Sequence, residues 1–194
     1  MVYKVIGLMS GSSLDGLDIV FVEMEENGGK WNYQVLNATC LPYDTAMQEK
    51  LRAAPHLKAR ELAALDASYG RYIGEKVNEF ISANKLEYKV GLIASHGHTV
   101  FHEPPHYTTQ IGNGAFISAT TSLPVVSDLR TMDVAMGGQG APIVPMAEFL
   151  FYPDFNYFLN IGGIANISYR GEEAYDAFDV CPANRILKIG RAHV

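Results

Sequence analysis

Three β-prone segments joined by two sharp turns open the chain, and they restrict its fold more than any other feature. Tyr3 to Met9 is apolar and Leu17 to Met24 alternates through Ile19 and Phe21. Trp31 to Leu41 follows the hairpin signal Asn27-Gly28-Gly29. Alternation of period two with Gly-rich punctuation predicts antiparallel strands. The first turn, Ser10 to Gly16, is made of small and polar residues. A chain that begins this way is building one side of a sheet, and it needs helices to cover that sheet.

Those helices are legible next. A short one is predicted from about Thr45 to Ala54, before Pro55, and a long one follows. Its apolar face is Leu62, Leu65, Tyr69, Ile73, Val77 and Phe80, at steps of three and four. Gly70 and Gly74 lie on the same stretch, which predicts close helix packing. Short apolar strands then run into polar or glycine-rich tips. Val90 to Ala94 precedes Ser95-His96-Gly97-His98-Thr99 and a Pro-rich loop. Val125-Val126 precedes Ser127-Asp128. Pro142 and Pro145 frame a helix through Phe151, and strands follow at Tyr157 to Asn160, Ala165 to Tyr169 and Ala177 to Val180. Strand ends of this kind are where α/β proteins collect their sites.

Composition narrows the function classes. Hydrophobic residues make up 48% and charged residues 19%, a globular balance. The net charge of −6 argues against nucleic acid as a partner. No apolar run reaches the roughly 20 residues that cross a bilayer. Met1 leads into a strand with no basic or apolar leader, so a cytoplasmic location is expected. Cys40 and Cys181 form no CxxC and are expected to be free thiols.

Six segments carry side chains suited to chemistry. In the first turn, Gly11, Ser12, Ser13, Leu14, Asp15, Gly16, Leu17 and Asp18 fit a phosphate cradle of backbone N–H groups and hydroxyls. They fit an ordinary hairpin loop equally well. His96, His98, His102 and His106, with Glu103, could chelate zinc. Without CxxC or HExxH no metal site is expected, and the histidines fit several other roles, hydrogen bonding to a sugar among them. Arg130 stands between Asp128 and Asp133. It pairs with them or presents a bidentate fork to a substrate carboxylate. Gln139 lies in the flexible run Gly137 to Gly140. Asn160 and Asn166 flank a tight turn. Asp179 ends a strand, where it serves as a general base or as a cap.

Taken in order, these segments resemble the anhydro-N-acetylmuramic acid kinase family. The matching runs are MSGSSLDGLD (9–18), SHGHTVFHEP (95–104), QIGNG (110–114), SDLRTMDVAMGGQGAPIVP (127–145), LNIGGIANIS (159–168) and FDVCPAN (178–184). The resemblance implies an α/β fold of the actin, sugar kinase and Hsp70 superfamily, with ribonuclease H-like domains and a mixed sheet flanked by helices. It implies ATP and Mg²⁺ as cofactors and an anhydro-amino sugar as partner, with a homodimer as one possible state of the full-length protein. The implied reaction opens 1,6-anhydro-N-acetylmuramic acid with water and yields N-acetylmuramic acid 6-phosphate, in peptidoglycan recycling. By position, Gly11 to Asp18 would be the first phosphate loop and Asp179 the catalytic base. His96, Thr99, Arg130, Gln139, Asn160 and Asn166 would stand on the sugar side. Two departures stand out. The family's DTGPGN reads here Asp179-Val180-Cys181-Pro182-Ala183-Asn184, and His98 replaces a more usual Gln.

The resemblance also predicts a boundary. Residues 1–150 would form a first ribonuclease H-like domain and 151–188 the start of an incomplete second one. The tail 189–194, IGRAHV, is expected to be non-native, because a common sequencing-adaptor DNA encodes it in one frame. An unpaired strand edge, exposed apolar surface and negligible kinase activity of this chain are the expected consequences. A chain that binds sugar or phosphate without turnover is the alternative. A metal hydrolase built on the histidines is a third reading.

Overall fold

In a computed structural model, which describes residues 1–141, 143–171, 175–183 and 186, the opening segments form the expected meander. Strands β1 (Val2–Ser10), β2 (Gly16–Asn27) and β3 (Lys30–Pro42) pair antiparallel in sequence order. Alternation decides the faces: Leu17, Ile19 and Phe21 of β2 are buried together with Ile6 and Leu8 of β1. Helix α1 (Thr45–Ala53) starts where the Asp44 carboxylate accepts the Met47 N–H at 2.7 Å. A 3-10 turn at Ala54–His56 leads into the long helix α2 (Ala59–Ala83).

The predicted apolar stripe of α2 is its buried face, with Tyr69, Ile73, Val77 and Phe80 in the core. Gly70 and Gly74 are on that face because α3 (Gly114–Thr121) crosses there. A methyl group on Gly74 would stand 2.6 Å from Thr120 Cβ, and one on Gly70 would stand 2.7 Å from the Asn113 carbonyl oxygen.

Strand β4 (Leu92–Glu103) runs parallel to β1 and continues well past the predicted end at Ala94. It then turns through Pro104 to His106 into β5 (Tyr107–Ile111), an antiparallel partner that the Pro-rich run concealed. Gly97 makes the extension possible. It sits at φ +71°, and a Cβ there would meet the Ile111 carbonyl oxygen at 2.5 Å. The short strand β6 (Val125–Val126) lies parallel to β4 on its other side. The result is one mixed sheet, ordered β3-β2-β1-β4-β5, with β6 also on β4.

Beyond β6 come α4 (Thr131–Ala135) and α5 (Val144–Phe151). A separate antiparallel sheet follows, made of β7 (Tyr157–Ile161), β8 (Ile164–Arg170) and β9 (Tyr175–Pro182). Helix α5 bridges the two sheets. On one side Phe151 and Tyr152 stack edge-on against Trp31 and Tyr33 of β3. On the other, the buried carboxylate of Glu148 accepts Asn160 Nδ2 at 2.9 Å and Tyr175 OH at 2.8 Å, and also accepts Ser168 Oγ. One acidic side chain thus ties down all three strands. Cys40 lies on β3 and Cys181 on β9, and no disulfide joins them. No helix among the described residues is long and apolar enough to cross a membrane. Asn184 and the tail 189–194 lie outside the described residues.

Candidate active site

Strands β1 and β6 run parallel to β4 and end on one edge beside its middle, where Ser10 pairs with His98 and Val126 with Ala94. That edge carries the first turn, the His96 segment and Ser127-Asp128, an arrangement typical of ligand-binding α/β sheets. Within the first turn Ser12, Ser13 and Asp15 are exposed at the tip, and the Leu14 N–H closes it onto the Gly11 carbonyl at 3.2 Å. Exposed hydroxyls on a tight turn fit a phosphate group. Gly16 and Leu17 belong instead to the buried start of β2, where Gly16 has a backbone neighbour, Leu41, in the space of a side chain. Asp18 is exposed and shares the wall of a cleft of about 600 Å³ with His96.

His96 and Arg130 meet directly. Arg130 Nε donates to His96 Nε2 at 2.8 Å, and His96 Nδ1 lies 2.9 Å from the Gly97 carbonyl. The carbonyl accepts only, so the imidazole carries its proton on Nδ1 and offers Nε2 as a lone pair. Burial lowers the His96 pKa, and the neighbouring Arg130 charge lowers it further, which keeps the ring neutral. Arg130 Nη1 also donates to the Gly140 carbonyl. The arginine therefore pairs with neither Asp128 nor Asp133 in these bonds, and it spans the gap between β4 and the glycine-rich loop. Asp133 has a different task. Its carboxylate accepts the Gly140 N–H at 2.6 Å and fills the space where a Gly138 side chain would be. Gln139 is exposed on that loop and lines a cavity of about 500 Å³ with Phe149, Tyr175 and Ala177.

His98 is placed by a buried chain of hydroxyls. Tyr43 OH lies 2.6 Å from Tyr69 OH and donates to Ser10 Oγ at 2.9 Å. Ser10 Oγ is 3.1 Å from His98 Nδ1. If each proton is used once, the chain runs Tyr69 to Tyr43 to Ser10 to His98, leaving the ring proton on Nε2. Burial lowers the His98 pKa and raises those of both tyrosines. The chain joins the residue before the phosphate-loop candidate to strand β4.

The remaining candidates divide. Thr99 is half-buried and accepts Gln110 Nε2 at 3.4 Å. Asn160 is committed to Glu148 rather than to turn backbone. Asn166 Oδ1 is buried without a partner, and its residue is opposite Asp179 in the β8–β9 register. Asp179 lies within β9 rather than at its end, and it is exposed. His102 senses both sides of the gap. Its pKa is lowered by burial and then by Arg130, while Asp179 partly opposes this. His96, Arg130, His102 and Asp179 thus belong to one electrostatic neighbourhood. Among the described residues, no group of three or more His, Cys, Asp or Glu side chains converges as a metal site. Sequence reasoning missed Glu148, whose signal is a lone carboxylate in an apolar helix. It also missed the Tyr43–Tyr69 pair, hidden because buried tyrosines look like core.

Comparison with known proteins decides what this geometry belongs to. The family model for anhydro-N-acetylmuramic acid kinase matches residues 3–192. The chain belongs to the anhydro-N-acetylmuramic acid kinase family. A curated relative of that name from Bacillus cereus (strain G9842) is 36% identical over 93% of this chain and 52% of its own length. Another, from Bacillus thuringiensis subsp. konkukian (strain 97-27), is 34% identical over 94% of this chain and 52% of its own length. The chain therefore spans about half the length of the curated relatives it matches. The α/β architecture, with a mixed sheet and flanking helices, is the one that the family resemblance implies.

Proposed function

We propose that these residues form the sugar-holding half, with the first phosphate loop, of an ATP-dependent kinase for 1,6-anhydro-N-acetylmuramic acid. The observation that carries the reading is Arg130. It is half-buried and oriented by His96 and the Gly140 carbonyl. A planar guanidinium fixed at two points is suited to grip a carboxylate, and muramic acid sugars carry one. In this reading residues 1–150 are the first domain and 151–188 begin the second.

Each residue then has a task. Asp179 accepts a proton from a water that adds to the anomeric carbon. The bond from that carbon to O6 breaks, and O6 becomes the acceptor of a phosphoryl group. ATP with Mg²⁺ would supply that group, held at the exposed turn of Ser12, Ser13 and Asp15. Thr99, Gln139 and Asn166 face the sugar, and Asn160 holds the second sheet through Glu148. The rest of the nucleotide grip falls to the part of the relatives that this chain does not span.

Hydrogen exchange and product analysis test this together. The sugar is expected to slow exchange across residues 95–130, and ATP·Mg with the sugar is expected to give no N-acetylmuramic acid 6-phosphate by mass spectrometry. An absence of protection contradicts the sugar role. Product formation that Asp179→Asn abolishes contradicts the assignment of only half the machinery to these residues.

A further inference from the structure

The first turn is held from outside, by the junction of β3 and α1. The Tyr43 N–H donates to the Asp15 carbonyl at 3.2 Å, and the Tyr43 hydroxyl donates to Ser10 Oγ at 2.9 Å. Gln48, in the first turns of α1, donates from Nε2 to the Leu14 carbonyl at 3.2 Å and to the Tyr43 carbonyl at 3.4 Å. The second of these bonds fixes the amide against the very residue that grips Ser10 and Asp15. Tyr43 is buried and Gln48 half-buried, behind a turn whose tip is exposed.

The hold answers a local strain. Leu14 has φ +56°, a left-handed conformation that a residue with a Cβ keeps only where its surroundings impose it. Its side chain packs against the first core, and its carbonyl is the one that Gln48 binds.

The chemistry of an anion-binding turn gives that strain a purpose. Phosphate is attracted by backbone N–H groups and repelled by carbonyl oxygens. Across a trans peptide the C=O and the following N–H point in opposite directions. The Leu14 and Asp15 carbonyls are drawn to the β3–α1 junction, so the N–H groups of Asp15 and Gly16 point away from it. Loss of the Gln48 bond would let Leu14 relax to negative φ, which rotates the Leu14–Asp15 peptide and moves its N–H.

We propose that Gln48 and Tyr43 are positioning residues for the first phosphate turn, which they hold in its anion-accepting shape before any ligand arrives. The inference rests on the reading of this turn as a phosphate loop and adds residues outside the loop that set its geometry.

The test is a backbone NMR titration of the whole chain with inorganic tripolyphosphate. In the unsubstituted chain the Leu14 carbon shifts should be left-handed without the probe, and the probe should move the amides of residues 11–16 at one site. Gln48→Met, which keeps the length and removes the donor, should erase the left-handed Leu14 signature and weaken the probe at least about fivefold. The amide positions of α2 should not change, which a merely structural role does not predict. Tyr43→Phe keeps its backbone N–H on Asp15 and should weaken the probe about threefold; it decides the matter should Gln48→Met fold poorly. Affinity within twofold of the unsubstituted chain in the deciding variant overturns the positioning role and leaves the phosphate-loop reading standing. A turn that does not respond to the probe in the unsubstituted chain overturns both.

Discussion

The two sheets of this molecule are built from the same opening device, a strand, a tight glycine-containing turn and an antiparallel return, yet they end in opposite states. The first sheet is covered. Residues of β1, β2, β4, α2 and α3 close into one apolar cluster, with Ile6, Ile73, Val77, Ile93 and Ile117 fully buried. The second has one face held by α5 through Glu148 and the other bare. Tyr157 is 68% exposed, Leu159 63% and Phe178 58%. Alternation explains the split. In β7 these apolar residues occupy the face opposite Asn160, and in β9 Phe178 occupies the face opposite Asp179. The difference teaches that burial in the first sheet holds the fold, whereas the second sheet is held to the site by polar bonds.

Substitutions can break that comparison, and the largest effect is expected in the first core. Phe21→Ala should cost about 3–5 kcal/mol in denaturant unfolding, since it empties a fully packed site. A cost below about 1 kcal/mol would remove the distinction between the sheets. Glu148→Gln comes next, at about 1–3 kcal/mol, because three donors lose their charged acceptor. Its effect should be local. Hydrogen exchange should quicken in β7 to β9 while the α2 amides keep their protection. Equal loss in both regions would show that the sheets unfold as one.

Smaller changes sharpen it further. Tyr43→Phe removes the donor to Ser10 and should cost about 1 kcal/mol, read as a lowered denaturant midpoint. Acid should weaken the same region. His96 and His98 have folded pKa values lowered by burial, so the unfolded chain binds more protons below its own pKa near about 6.5. Stability is therefore full above that pH and declines as pH falls through the window beneath it. His98→Gln should flatten part of this decline between pH 7.5 and 5.5; an unchanged slope would take His98 out of the account. Leu159→Ser should change stability least, by less than about 0.5 kcal/mol, and should reduce aggregation measured by light scattering.

Much of the first sheet was legible because its signals are local. Period-two alternation and the Asn27-Gly28-Gly29 turn set β1 to β3, and the stripe through Tyr69 and Phe80 set α2. The hairpin of β4 and β5 was not, because prolines and histidines read as loop while the pairing that makes them strand is a tertiary fact. Helix α3 was hidden too, its Gly114 start and Thr-rich end lacking an amphipathic stripe. At the site, Arg130 was visible as a residue, but its partner was not. Two flanking aspartates suggested a local ion pair, and the fold gave it His96 instead, from a distant strand. Gln48 was read only as part of a short helix, since its bond to the Leu14 carbonyl exists only once the turn is folded.

Calorimetric titration with 1,6-anhydro-N-acetylmuramic acid at pH 7.5, without nucleotide, tests most directly whether this edge of the sheet is a sugar site gripped by Arg130. The account predicts binding at one site that Arg130→Ala weakens at least tenfold while Asp179→Asn leaves it within about threefold. An absence of binding heat, or full affinity in the Arg130→Ala chain, would contradict it.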